Sequence, residues 1–310
     1  MARDFEAYKK STYKWEPGHE KHLRITKSSL TSDFDFCPQQ YHFKRREDRK
    51  TPETDAMRKG TNVHNAMEEF YVYVRPNLGK VLKLLNDKNR EEAFSLFVKS
   101  LPKPEEPYLL GEEEILLKRL EWELDRLEAT QGQHFLPVIN EDEIHVFTER
   151  EFVHNGKTHT VPIHFAGMID RGFENEDGSI SLMELKTGKW KQRWDWRKKE
   201  WKDDVFKVRG MRKEMAFYEL LLLNAPDEVM IKNGLDPNDK VTHWGWYYPA
   251  ANYIYAEPRK TRSMTSVMNN IAKLIHHYER NTFPAKFFYK TCAHCSFFGI
   301  CDEAQEDTWV

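Results

Sequence analysis

The positions richest in chemistry lie between residues 163 and 189. Ile163–Ile169 is a short apolar run that ends on Asp170 and Arg171, and Ile180–Leu185 is a second that carries Glu184 and leads to Lys186. Residues 174–179 between them have the composition of a turn, which predicts a β-hairpin. Residues i and i+2 of a strand share a face, so Glu184 and Lys186 project together while Leu185 turns back into a core. With the hairpin in register, Asp170 lies beside Glu184. A hard divalent cation, Mg²⁺ or Mn²⁺, gathers such carboxylates and keeps waters for a substrate. The lysine then orients or helps deprotonate an attacking water, or neutralises charge developing on a phosphorane. The competing reading is structural: on an exposed strand Glu-Leu-Lys is a solvated cross-strand ion pair.

Cysteine supplies a second set of candidate ligands. The sequence has four, Cys37, Cys292, Cys295 and Cys301, and the last three read C-x₂-C-x₅-C. Such clustering points to metal ligation rather than disulfides. Four thiolates satisfy either a tetrahedral Zn²⁺ or a [4Fe–4S] cluster, and spacing alone leaves both open. The fourth ligand must then be Cys37, so the site would staple distant parts of the chain together.

The elements that must position these groups follow from periodicity. Residues 28–46 read as a helix capped by Ser28 or Ser29 and perturbed at Pro38. Ala56–Val74 reads as a helix that buries Val63, Met67, Phe70, Tyr71 and Val74 and carries His64. Residues 80–130 form a second helical region, broken by Pro102, Pro104 and Pro107 and resumed at Glu112–Ala129 as a strongly charged insertion with a solvated face. Ile144–Val153 and Val161–Ile169 flank Asn155-Gly156, a hairpin signal; Glu149 and Glu151 on the first strand read as surface or ion-paired acids, with a supplementary acid near the site as the alternative. Residues 189–202 interleave basic residues with tryptophans. They read either as packed tryptophans or as a phosphate-contacting, base-stacking flap that includes Lys189, Trp190, Lys191 and Arg193. Val205–Leu223 is a further helix, Val241–Ala256 two short strands about Pro249, and Ser263–Asn281 a helix with His276 and His277 on its surface.

Several of these segments, in their order, resemble one family. Gly167-Met-Ile-Asp170-Arg171 followed by Glu184-Leu-Lys186-Thr-Gly188 is similar to the core of the PD-(D/E)XK nuclease superfamily, and within it to the RecB-like branch, whose pattern is G-x-x-D-R, a short hairpin, then (D/E)-x-K-T-G. The resemblance implies metal-dependent phosphodiester cleavage, with Asp170, Glu184 and the Leu185 carbonyl on the metal, Lys186 beside it and Arg171 on DNA. Gly60 to His64 resembles the family's G-x-x-x-H helix, which implies His64 as a neutral-imidazole ligand. Glu214 to Tyr218 resembles its Q-x-x-x-Y helix, with Glu214 in place of glutamine. That residue is expected on DNA, or else holding Lys186, Arg212 or a second metal, and Tyr218 at the reaction centre. The cysteine spacing, with Cys37 in a Ser-x-Leu…Cys-Pro opening, is similar to the iron–sulfur staple of AddB-type nucleases and CRISPR-associated RecB-like exonucleases, which favours [4Fe–4S] over Zn²⁺.

At 310 residues, with 32% charged residues and a formal net charge of −2, the chain is not a general nucleic-acid coat protein; DNA contacts must come from local patches. No apolar run is long enough for a membrane helix, no signal peptide or Walker A pattern is evident, and a cytoplasmic location without membrane partners is expected. The expected fold is α/β: a restriction-endonuclease-like core, a central mixed sheet flanked by helices, with a helical insertion and a C-terminal cysteine-cluster region. Its parts are an arm (1–27), a helical region with Cys37 and His64 (28–135), the nuclease core (136–262) and a C-terminal helix with the cysteine cluster (263–310). The function expected is a metal-dependent DNA exonuclease acting on ends or single strands in recombination, repair or DNA processing. Other proteins of those processes are further expected partners, and an oligomer is compatible. A non-catalytic DNA-end-binding subunit with a metal staple is the alternative.

Overall fold

Strand β3 (Lys157–Glu174) runs through the whole architecture. In this computed structural model, which describes residues 22–302 except 50, 52, 105, 191, 233–234, 237, 239, 287–291 and 294, it pairs antiparallel with β2 (Ile139–His154) from His154↔Lys157 to Ile139↔Gly172. The turn between them is Asn155-Gly156, with φ of 50° and 71°. Two left-handed residues match the right-handed twist of the strands, which is why Asn-Gly signals a hairpin. At its other end β3 turns through residues 175–179, with Gly178 left-handed at φ 77° and Asn175 N donating to Ser179 O, into β4 (Ile180–Leu185).

The register Arg171↔Met183 sets Asp170 level with Glu184, as the turn composition predicts. Strand β4 then pairs in parallel with β7 (Val241–Tyr248), and β7 antiparallel with β8 (Tyr253–Pro258) across the turn at Pro249. A short strand unforeseen in the arm, β1 (Leu23–Thr26), lies in parallel on residues 163–166 of β3. The sheet is therefore mixed, in the order β1-β3-β4-β7-β8 with β2 on β3. Because β2 occupies one edge of β3, β1 and β4 share the other, and β3 residues 167–170 face the gap between them.

Helices cover both faces. On one side α1 (Asp55–Val74), α2 (Leu78–Asn86), α3 (Arg90–Lys99) and α4 (Glu112–Thr130) enclose a core that also takes in Phe173, Leu185 and Tyr247. The buried face of α1 is the predicted set Val63, Met67, Phe70, Tyr71 and Val74, and Thr54 caps its start by accepting from Met57 N. On the other side α5 (Val205–Asn224) packs through Met211, Met215, Phe217 and Leu221, with Ile180 and Leu182 of β4 in the same core. The short α6 (Asp227–Lys232) and the long α7 (Thr261–Arg280) complete the layer. Alternation along β4 thus sends Leu185 to one core and Glu184 to the opposite face. The Gln192–Asp195 and Glu200–Asp203 strands, β5 and β6, form a separate hairpin.

Three expectations about local structure need revision. Residues 28–46 are not one helix: wide helical turns at Ser29–Phe34 and His42–Arg46 flank a single turn at Pro38–Tyr41, and Cys37 is extended because Pro38 restricts the residue before it. The charge of α4 is not all solvated. Arg119 and Glu123 are buried, with Glu123 bonded to Arg119, to Arg126 at 2.8 Å and to the Tyr71 hydroxyl. His276 is not a surface residue: it is 7% exposed, because α7 packs it on His159 of the β2–β3 hairpin, Nδ1 to Nε2 at 3.3 Å. Residues 1–21 of the expected arm lie outside the described residues. Among the described residues no helix is long and apolar enough to cross a membrane.

Candidate active site

The gap in the sheet is where functional groups from both faces meet. Asp170 closes the unpaired stretch of β3, is buried, and accepts a hydrogen bond from Leu185 N at 3.0 Å, so on its β3 side the end of β4 is held by a carboxylate while its other edge stays in the ladder with β7. From α1, His64 places Nδ1 3.7 Å from Asp170 Oδ2 and Nε2 3.2 Å from the Leu185 carbonyl oxygen. Its Nδ1 also lies 2.7 Å from Glu141 Oε1 on β2. The ligand atoms of His64, Glu141 and Asp170 all fall within 4.8 Å of one another, the one such group among the described residues.

Glu141 was not anticipated. It stands across from Asp170 where the β2–β3 pairing is interrupted between Asn140↔Arg171 and Asp142↔Ile169, and its backbone is left-handed, φ 55°. That conformation costs a residue with a side chain on the order of 1–3 kcal/mol. Arg171 Nη1 holds the carboxylate at 2.7 Å. No motif marks Glu141; the residual signal was an acidic run, Glu141-Asp-Glu143, opening a strand that faces Asp170.

Glu184 lies outside that group of three. Its Oε1 takes two ammoniums, Lys186 Nζ at 2.5 Å and Lys27 Nζ at 2.6 Å, while its Oε2 is buried and has no hydrogen-bond partner among the described residues. Lys27, just past β1, was also unforeseen; it donates to the Tyr218 hydroxyl and sits 4.7 Å from that ring. Lys186 Nζ reaches Glu214 Oε2 at 2.7 Å, so Glu214 holds the lysine, one of the roles considered for an acid at this position. The contacts thus run from Tyr218 on α5 to Lys27 after β1, Glu184 and Lys186 at the end of β4, and back to Glu214 on α5.

Electrostatics follow from burial and these neighbours. Burial pushes the Asp170 carboxyl up, with Glu184 and Glu141 adding to it against His64 and Lys27. Burial works against ionised Glu184 too, but Lys186 and Lys27 outweigh it and hold that carboxyl well below the usual range. Burial disfavours both ammoniums, yet Glu184 with its neighbouring acids keeps Lys27 and Lys186 above the ordinary lysine value. Burial raises the Glu214 carboxyl and, strongly, the Tyr218 hydroxyl, Glu184 acting in the same sense on both. His64 is raised: burial opposes its charge, and Asp170 and Glu141 overcome that. Both its nitrogens face oxygens, so ligation requires it to give up a proton.

The donor set fits a hard divalent cation. Two carboxylates and an imidazole are already clustered, the Leu185 carbonyl adjoins them, and the orphaned Glu184 Oε2 is a buried oxygen with nothing else to satisfy it.

The residues expected on DNA separate. Arg171 is 2% exposed and spends its guanidinium on Glu141. Lys189 and Arg193 are exposed, and Lys191 lies outside the described residues. Trp190 is packed, stacked against Tyr255 with its Nε1 on Asp203 at 2.9 Å, whereas Trp196 and Trp201 on the hairpin are 83% and 63% exposed. The packed reading therefore holds for Trp190, while Trp196 and Trp201 face solvent. Cys37, Cys292, Cys295 and Cys301 line one cavity together with Phe43 and Phe297. Lys286 N donates to Cys37 Sγ at 3.3 Å, and burial raises the Cys295 thiol.

A search of the curated proteins gave no match. Among solved structures, one named "Crystal structure of SSO0001" is 13% identical over 92% of this chain and 91% of that chain, with a TM-score of 0.32. A family model described as the PD-(D/E)XK nuclease superfamily matches residues 28–302. That span takes in the sheet from β2 to β8, the His64, Glu141 and Asp170 group, and the Glu184-Leu-Lys186 strand end. Members of the superfamily usually hydrolyse phosphodiester bonds with a divalent metal, and this chain belongs to the PD-(D/E)XK nuclease superfamily.

Proposed function

We propose that the chain is a metal-dependent DNA exonuclease of the RecB-like branch, acting on DNA ends or single strands in recombination, repair or DNA processing. One observation carries the reading. His64, Glu141 and Asp170 converge beside a Glu-x-Lys strand end whose glutamate has a free buried oxygen.

His64, Glu141 and Asp170 would hold Mg²⁺ or Mn²⁺, with Glu184 Oε2 and the Leu185 carbonyl as the adjoining oxygens. A divalent ion there supplies a Lewis acid for a phosphate oxygen and lowers the pKa of a water. The protein's own groups do the rest. Arg171 fixes Glu141, and the Leu185 amide fixes Asp170. Lys186, kept charged by Glu184 and Glu214, presents an ammonium that orients the attacking water or offsets charge growing on the phosphorane. Lys27 adds a second cation on Glu184 Oε1.

End-labelled single- and double-stranded DNA with Mg²⁺ or Mn²⁺ tests this. Wild type shortens labelled strands from an end, and Lys186→Ala abolishes cleavage while folding and DNA binding stay near normal. Full activity in that variant overturns the assignment, and retained DNA binding without any metal-dependent cleavage by wild type supports an end-binding subunit instead.

We further infer that the four cysteines hold a [4Fe–4S] cluster as a staple, on the support that all four line one cavity. Anaerobically prepared protein should be brown and contain iron; a colourless, zinc-containing protein overturns iron.

A further inference from the structure

The cleft at the metal-ligand group, about 660 Å³, is lined by His64, Glu141 and Asp170 and also by Arg24, Lys27 and Arg45. A second cleft, about 380 Å³, shares Arg24, Thr26 and Arg45 with it and adds Lys44, Arg46 and Tyr278. The two are therefore one continuous channel along β1 to the helical turn His42–Arg46. None of the Trp-rich hairpin residues lines either part.

The acids gather at one end: Glu141, Glu143 and Asp170 line the first cleft, whereas the second sets Arg24, Lys44, Arg45 and Arg46 against Asp48, in a chain whose formal net charge is −2. Random surface charge does not segregate in this way, and a cleft of one sign focuses its field on an oppositely charged ligand. The cations are also built in. Asp33, buried, takes Lys44 Nζ at 2.9 Å and Arg45 Nε and Nη2 at 3.0 and 2.8 Å, which fixes both heads. The Arg45 Nη2 also reaches Ser28 Oγ at 3.3 Å. The Arg46 guanidinium lies over the Tyr278 ring, 4.8 Å from its centroid. Guanidinium groups held in place from below still offer N–H donors on their outer edge, the arrangement that suits phosphate oxygens.

We propose that this channel is a phosphate-binding track for a DNA strand, leading from the metal-ligand group past Arg24 and Arg45 to Lys44 and Arg46. The proposal rests on the nuclease reading and adds the strand's path to it. The track ends on the segment that follows Cys37, beside the cysteine cavity, which Phe43 also lines. It predicts that phosphate contacts are dominated by the Arg24–Arg46 segment and not by the hairpin of β5 and β6.

The test is DNA affinity in Ca²⁺ for wild type, Arg24→Gln/Arg46→Gln and Lys189→Gln/Arg193→Gln, measured across 50 to 200 mM salt. Removing two phosphate contacts lowers the steepness of log K against log salt by roughly 1.4 to 1.8. The expected result is that loss in the Arg24/Arg46 variant, with affinity down about tenfold or more at low salt, Mn²⁺ affinity unchanged and the hairpin variant close to wild type. The single Arg46→Gln variant, at an exposed position, carries a shift of about half that size if the double variant misfolds. Wild-type affinity and slope in the Arg24/Arg46 variant, or a loss confined to the hairpin variant, overturns the track while leaving the nuclease reading intact. A wild type that neither binds nor cuts DNA overturns the nuclease reading, and the track with it.

Discussion

Glu141 stands in a costly backbone conformation at the centre of the candidate site. Its left-handed backbone turns the carboxylate toward His64 Nδ1 and Arg171 at the level of Asp170. Glu141→Gln keeps the shape and removes the charge, so Mn²⁺ affinity by calorimetry should fall at least tenfold, the scale seen when groups supporting a metal site are lost. Unchanged affinity would remove Glu141 from the ligand set. Lys27 makes a separate prediction. Lys27→Met leaves Glu184 paired with Lys186, so the fold should survive while cleavage under saturating DNA slows at least tenfold; an unchanged kcat would leave Lys27 a packing residue. Asp170, Glu184 and Lys186 were legible because a strand period of two and a turn composition fix relative facing without any tertiary knowledge. Glu141 and Lys27 were not. The first depends on an irregular backbone inside a strand, and the second on a four-residue strand too short to show a period.

At the scale of elements, the close approach of β2 and β3 is set by a missing side chain. A Cβ on Gly172 would lie 2.7 Å from Ile139 Cδ1 and 2.9 Å from Cγ1, so Gly172→Ala must push β2 aside. Overpacking of this kind costs about 1–3 kcal/mol, read as a lowered midpoint in urea; an unchanged midpoint would mean that Ile139 simply rotates. Helix α4 carries a different device. Burial raises the Glu123 carboxyl, but Arg119 and Arg126 lower it by more, so it titrates below its ordinary 4.5 in the folded state. Its stabilisation is therefore complete above that value and fades as pH falls through the folded one. Glu123→Gln should cost about 3–5 kcal/mol at neutral pH, as breaking a buried ion pair does, and the gap to wild type should narrow below about pH 4.5. A gap that does not change with pH would assign the loss to packing. The core face of α1 was readable from helical spacing, whereas the buried charges of α4 were not. Its exposed and buried ions look alike in sequence, and only the Tyr71 hydroxyl and Arg126 reveal which ones are enclosed.

At the scale of the whole molecule, one cavity brings Cys37 together with Cys292, Cys295 and Cys301, segments that lie far apart in the sequence. Cys292→Ala should lose colour and soluble expression together; a soluble, stable variant would show that the cavity is not a staple. The apolar runs made the individual strands legible and the family resemblance implied the mixed sheet flanked by helices, but the order of its strands was not legible, since β1 enters it from a stretch without visible period. The same strand bears on timing. Parallel pairing of residues 23–26 with 163–166 closes a very long loop, and contacts of that kind form late in folding. Lys27 arrives with β1, so a refolding chain pairs Glu184 with Lys186 before the second cation reaches it. Helical signal should return first and turnover only with the slowest kinetic phase, which would keep newly made protein harmless to nucleic acid until its final strand has docked.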